Sequence, residues 1–313
     1  MGIHTKIQWC DSSCNLMAGC DGCELWNPRA DVRQCYAGNL VDRYFSRPGW
    51  PPSFAIPAVF PERLKAALRW PDLTGKDRPN KPWLNGYPRL IFWCDLGDPF
   101  TESLPVDWLA PFLPELADSP HIHIWVTKRP RRMRRFFEAH TVPKNFWLLT
   151  TVTSQTNVAR IAELRKIEGA SVLGVSLEPL LGPVSMRPHL EGLDWVILGF
   201  ESGHAARPGH PDWARGVRDD CRAAGVPFFY KQWGEWVPRT RGLSDDQPMI
   251  RLTVNGRNGQ DLANAADGGD VWMQRVGKKA AGRVLDGEIW SQLPPIPSLK
   301  IGHSQRTTKT LLH

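Results

Sequence analysis

No stretch of the 313 residues reaches the run of about 18 consecutive apolar positions that a membrane-spanning helix needs, so no membrane span is expected. The opening MGIHTKIQWCDSS lacks an apolar h-region, so a secretory signal is not expected either. Internal repeats and coiled-coil heptads are missing, which sets aside solenoids and long helical rods. Acidic residues are in the minority: 32 Asp and Glu against 39 Lys and Arg leave a formal charge of +7. That excess is weaker than a dedicated DNA-coating protein would carry, and amounts to a mild bias toward anionic partners. Cysteines number only seven, an odd count in a long chain. A secreted disulfide framework is therefore disfavoured. A globular, cytoplasmic chain is expected, 42% hydrophobic and 23% charged, long enough for one large domain or two ordinary ones. Trp supplies 15 of its 31 aromatic rings, so stacking surfaces are plentiful.

From residue 90 to 233 one pattern recurs: a short apolar run, a polar end, then a stretch with helical spacing. The runs are LIFWCD (90–95), IHIWVT (122–127), FWLLTTV (146–152), VLGVSLE (172–178), WVILGFE (195–201) and VPFFYKQ (226–232). Their near-continuous apolarity predicts parallel strands buried on both faces. Helices are predicted over 61–70, 130–140, 157–167 and 211–224, three of them opening on Pro or closing before Gly225. A further strand is predicted over 6–9. This alternation defines an α/β fold, a complete or partial (β/α) barrel before a doubly wound sheet. The polar residues favour the barrel, because they gather where the strands end: Asp95 and Asp98, Lys128 and Arg129, Thr151 and Thr153, Glu178, Glu201 and Ser202, Lys231 and Gln232. In a barrel those ends converge on one face. The expected boundary lies at 235, with a barrel over 1–235 and an irregular basic extension over 236–313 on or near it.

Five of the seven cysteines fall within 26 residues: Cys10, Cys14, Cys20, Cys23 and Cys35. A dense cluster outside a secretory context points to metal or cofactor ligation. Three arrangements meet the count. Zinc would take four N or S ligands, with His4 also at hand. A ferredoxin centre would take four thiolates, although its usual spacings are absent. A 4Fe–4S cluster held by three cysteines would leave one iron open to S-adenosylmethionine, whose radical chemistry the protein then positions.

The segments TKIQWCDSSCNLMAGC, CYAG, TKRP, SLEPLLGPV, DWVILGFESG, ARPGHPDWARGVRDDCRAAGVPFFYKQWG and RVGKKAAGRVLDG occur in an order that resembles the three-Cys-motif family of phages and prophages, a radical SAM-like family. The resemblance covers about residues 5 to 290. It implies a radical SAM-type barrel, a 4Fe–4S cluster, S-adenosylmethionine and an external electron donor. It also implies Cys20, Cys23 and Cys35 as ligands, matched to a Gly-Cys and a later Cys-x₂-Cys-Tyr-Ala. The chain departs from the pattern in several places. ELWNPRADVRQ separates Cys23 from Cys35, Cys10 and Cys14 stand where the family has Thr and Trp, and GFESG replaces GGESG, with Phe200 for Gly.

On that reading Lys128, Arg129, Glu178, Glu201, Ser202 and Lys231 are the candidates to hold the cofactor's carboxylate, amino group and ribose, while the catalytic residue is unassigned. Gly203 would let backbone approach the ligand. Each of these charges could equally serve a structural salt bridge. Two rivals come from other classes: a barrel hydrolase using Glu178 and Glu201 as its carboxylate pair, and a zinc-bearing nucleic-acid module. The KRPRRMRR run (128–135) and Lys278, Lys279 and Arg283 suggest phosphate contacts, so DNA or a modified nucleotide is the expected partner. The phage setting implies an isomerase step in DNA modification within the host cytoplasm, such as rearranging an aminoacyl substituent on a hypermodified thymine.

Overall fold

The structure is a computed structural model that describes residues 2–239 (28, 30 and 46 apart), 246–256 and 269–296. Its main sheet has seven strands: β1 (Ser12–Cys14), β2 (Leu90–Trp93), β3 (Ile122–Thr127), β4 (Phe146–Thr151), β5 (Val172–Leu177), β6 (Trp195–Gly199) and β7 (Phe228–Gln232). They lie side by side in chain order, each parallel to the next. The result is a mixed α/β fold with a half-barrel sheet, compatible with a partial (β/α) barrel.

The first and last strands do not pair with each other. Short antiparallel contacts cover their outer edges instead. Gly2 exchanges two backbone hydrogen bonds with Ser13, at 3.0 and 3.1 Å, beside β1. At the far edge Tyr230 N donates to Trp290 O (3.1 Å) and Gln292 N donates to Phe228 O (3.2 Å). Covering an edge removes a template for further strand addition, which ends the sheet before closure.

The apolar runs are buried on both faces, and the period of two sorts their residues cleanly. Trp93, Trp125, Leu148, Val196, Leu198 and Phe228 belong to the large core shared with the helices. Leu90, Ile124, Trp147, Leu149, Trp195, Ile197 and Phe229 face the other way and pack with Trp9 and Cys10. The helices are α1 (Tyr36–Tyr44), α2 (Pro61–Leu68), α3 (Leu113–Ala117), α4 (Pro130–Ala139), α5 (Ala159–Leu164) and α6 (Pro211–Ala224). Proline at the first turn opens α2, α4 and α6, where a missing N–H costs nothing, and α6 stops at Gly225 with φ 70°.

Three expectations need correction. Residues 6–9 form no strand; the first strand is Ser12–Cys14, whose serines hid it from an apolar search. The physical reason is Lys81, whose ammonium donates to the carbonyls of Thr5 (2.8 Å), Ile7 (2.6 Å) and Cys10 (2.6 Å), winding this segment around a cation. The helix expected over 157–167 is shorter, Ala159–Leu164, because Ser154 and Asn157 form a capped 3₁₀ turn ahead of it. The region after 235, expected to be irregular apart from short ordered pieces over 271–277 and 282–290, contains an antiparallel sheet of β8 (Trp236–Pro238), β9 (Met249–Leu252) and β10 (Val271–Arg275), followed by α7 (Lys278–Ala281). Residues 240–245, 257–268 and 297–313 of the expected extension lie outside the described residues. Among the described residues no helix is long and apolar enough to cross a membrane.

Candidate functional site

The inner face of the sheet changes character along its strands. Toward their amino ends it is a floor of Trp147, Trp195 and Trp9, with Trp147 and Trp195 packed edge to face at 5.6 Å. Toward the carboxyl ends the same inward positions become Lys128, Thr151, Ser176, Glu178, Gly199 and Lys231. These line a cavity of about 870 Å³, where ligands collect in parallel α/β sheets.

One wall of that cavity is the cysteine loop, held by a close backbone approach. Gly19 N donates to Leu96 O (3.0 Å) and Asp98 N donates to Gly19 O (3.4 Å). A Cβ on Gly97 would run into the backbone of Gly19, and Gly19 itself has φ 103° against Pro57. Glycine at both positions lets Cys20 sit directly above the end of β2. The insertion between Cys23 and Cys35 folds back on itself. Trp26–Asn27 pairs with Val32–Arg33, Cys23 bridges Trp26, and Leu25 O accepts from both Gln34 N (2.9 Å) and Cys35 N (2.8 Å). The hairpin thus returns the chain to the cavity wall.

Cys20, Cys23 and Cys35 all line this cavity, and so does Cys94, which stands alone in the sequence. Cys10 and Cys14 do not; both are fully buried in the apolar cores, where burial pushes the Cys14 thiol up to about 12. Burial pushes the Cys20 thiol up to about 11, against Arg129, whose Nη1 lies 3.4 Å from the sulfur. Burial likewise raises Cys35, opposed by the amides of Gly38 and Ala37 at the start of α1 and by Lys128. Cys23 Sγ accepts from Leu25 N at 3.4 Å. Each thiol of the set therefore has an N–H group beside it, although burial outweighs these donors at Cys20 and Cys35. Among the described residues no three Cys, His, Asp or Glu side chains converge on one point as a finished metal site.

Asp98 joins this loop to the strands. It is 6% exposed and accepts from Thr127 Oγ1 (2.6 Å), Lys128 N (2.9 Å), Phe100 N (3.0 Å) and Arg129 Nη1 (2.9 Å). Arg129 also donates to Gly22 O at 2.8 Å. Burial works against its charge, yet Asp98 and Cys20 hold the guanidinium above its ordinary value. Expected to meet a cofactor, Arg129 is instead committed to Asp98 and the cysteine loop, and its side chain faces a neighbouring groove. Lys128 lines both spaces. Glu24 completes the fastening, accepting from Thr153 Oγ1 (2.9 Å) and from both terminal nitrogens of Arg160 (3.0 Å each).

The opposite wall carries the other expected residues. Glu178 accepts from Lys231 Nζ (3.1 Å) and Trp9 Nε1 (3.4 Å). Glu201 is gripped by Arg207 through its backbone N (2.9 Å), Nε (2.8 Å) and Nη2 (2.6 Å). Ser202 stands exposed at the rim. Phe200 borders the cavity, but its ring, 2% exposed, lies under Gly209 and stacks on Trp233 at 5.6 Å. Lys278, contributed by α7, also reaches the cavity wall. The sequence marks it for phosphate contacts in a basic extension on or near the barrel, without assigning it to the cofactor site. Asp95, flanked by Ser13, Asn15 and Tyr36, is raised by burial, and its Oδ1 is buried without a hydrogen-bond partner.

Sheet order and cavity together define a mixed α/β protein of partial-barrel type with a thiol-bearing pocket at the carboxyl ends of its strands. Residues 4–294 match the family described as protein of unknown function, DUF5131, and the chain belongs to that family. No curated protein and no solved structure matches it.

Proposed function

We propose that the chain is a radical SAM enzyme that acts on a base of a nucleic acid in phage DNA modification. The observation that carries the reading is that Cys20, Cys23 and Cys35 border one cavity at the carboxyl ends of a sequentially ordered parallel sheet. The donor chemistry fits a three-thiolate cluster: three thiols faced by N–H groups, with Cys10 and Cys14 withdrawn into the core. A 4Fe–4S cluster with S-adenosylmethionine at its open iron would supply a carbon radical, given one electron from an external donor. The chain's own part is to bind and to exclude water. Lys128 and Ser202 offer donors, while Glu178 and Glu201, each already holding a cation, offer their remaining lone pairs to an amino group or ribose, and Lys231 its remaining N–H groups. The Trp9 floor shields the reacting centre. The substrate reading is isomerisation of an aminoacyl-substituted thymine, because moving a bond to an unactivated carbon suits radical chemistry and defeats acid–base catalysis.

The rivals are less well supported. A hydrolase needs a free carboxylate pair, whereas Arg207 grips Glu201 and Lys231 holds Glu178. A structural zinc site is closed and tetrahedral, whereas these thiols border an open cavity.

The test is anaerobic reconstitution with iron and sulfide, reduction, and addition of S-adenosylmethionine. Release of 5′-deoxyadenosine and methionine is expected. Glu201→Ala should weaken cofactor binding with iron content unchanged. Zinc uptake in place of iron, or a loaded cluster that never yields 5′-deoxyadenosine, would overturn the proposal.

A further inference from the structure

Beside the main cavity runs a second groove of about 590 Å³ along the start of α4, and Lys128 lines both. Most charges in this groove are spoken for. Arg129 pairs with Asp98, Arg132 with Glu102 and Arg160 with Glu24, while Glu163 is taken by Arg134 and Lys166. Three cations remain: among the described residues the side chains of Lys128, Arg131 and Arg135 make no ion pair or hydrogen bond, though the charge of Lys128 bears on Glu24 and Cys35. Arg131 and Arg135 are exposed and four residues apart on α4, so they share a helix face, about 5–6 Å apart at Cβ. Like charges at that spacing destabilise a helix. Arg131 also stands in the first turn, where the helix dipole disfavours cations, and no acidic residue stands there to offset it. The fold carries an unneutralised line of positive charge that its own stability does not favour.

We infer that this groove is the docking track for the phosphates of a nucleic-acid strand, with one base turned out of the strand into the main cavity past Lys128. The inference rests on the nucleic-acid reading above and gives that partner its surface. Two arginines one turn apart, with Lys128 just ahead of the helix, suit a polyanion with repeated charge better than a single small anion. Arginine's planar fork suits phosphate, and the dipole at the start of α4 adds to the attraction. The groove shares Lys128 with a cavity lined by Phe92, which is half-buried over the Trp9 ring and could stack an extruded base. An acidic protein segment would satisfy the groove but has no use for the cavity beside it.

The experiment measures binding of a fluorescent single-stranded oligonucleotide to the full-length protein by anisotropy, over a series of salt concentrations and without the cluster. The wild type should bind with steep salt dependence. Arg131→Glu with Arg135→Glu should weaken binding at least tenfold, and Arg131→Gln with Arg135→Gln should lower the logarithmic salt slope by about 1.4 for two lost phosphate contacts. Thermal melting of both variants checks that these exposed changes leave the fold intact. Unchanged affinity and slope in both folded variants would overturn the inference, as would displacement of the oligonucleotide by polyglutamate at equal charge concentration. The enzyme reading fails separately. Absence of 5′-deoxyadenosine from a protein that binds oligonucleotide through these arginines removes the chemistry and keeps the track. Cofactor cleavage by a protein that ignores oligonucleotides does the reverse.

Discussion

Arg129 lies 3.4 Å from the sulfur of Cys20 through the same Nη1 that binds Asp98 at 2.9 Å. One guanidinium thus ties the first cysteine of the loop to the ends of β2 and β3. The residue next to Lys128 works behind the cavity wall, holding the thiol in place.

That arrangement makes a stability prediction. The side chains of Asp98 and Arg129 are 8% and 16% exposed, so removing either leaves the other charge buried without its partner. Asp98→Ala should cost about 3 kcal/mol or more in urea denaturation, and Arg129→Met a similar amount. The double variant should cost clearly less than the sum, since the second change no longer strands a charge. Strict additivity would mean that the pair is not coupled.

Gly97→Ala tests the close approach. The added methyl meets the backbone of Gly19, which cannot move aside as a side-chain tip would. The expected result is displacement of the cysteine loop: lower iron per chain after reconstitution, with a modest drop in melting temperature. Full iron loading in the Ala variant would show that the loop has slack the geometry does not suggest.

Single Ala replacements of Cys20, Cys23 and Cys35 should each abolish iron uptake. Cys221→Ala, far along the chain and buried in α6, should keep it. The informative case is Cys94, which shares the cavity wall. Retained iron in Cys94→Ala supports the three-thiolate set, and loss of iron would bring in a fourth ligand.

Glu24 sets a pH dependence. Burial raises its carboxyl, but Arg160 more than offsets this and holds it at about 2, against an ordinary 4.5. A folded value below the unfolded one stabilises the protein above about pH 4.5, and this is lost as pH falls toward 2. Its amplitude is about 3 kcal/mol at most, given that the side chain is 28% exposed. Glu24→Gln should flatten that part of the stability–pH curve, and an identical curve would assign the acid sensitivity elsewhere.

The strands from 90 to 232 and the gathering of polar residues at their ends were legible in the amino-acid order, because burial on both faces demands unbroken apolar runs and the period of two is local. Helices opened by Pro and closed by Gly225 were legible for the same reason: their signals lie within a turn of the boundary. What escaped was set at a distance. Ser12–Cys14 is a strand because the neighbouring β2 and the capping Gly2 supply its partners, and residues 6–9 are not, because Lys81, more than 70 positions away, claims the carbonyl of Ile7 and those of Thr5 and Cys10 on either side. The hairpin that brings Cys35 back toward Cys23, the capture of Glu201 by Arg207, and the entry of Lys278 into the cavity all depend on contacts that form only once the chain is packed. Residue type announces which groups can do chemistry; which of them are free to do it is decided by the partners that folding brings within 3–4 Å, where charge and hydrogen bonding act.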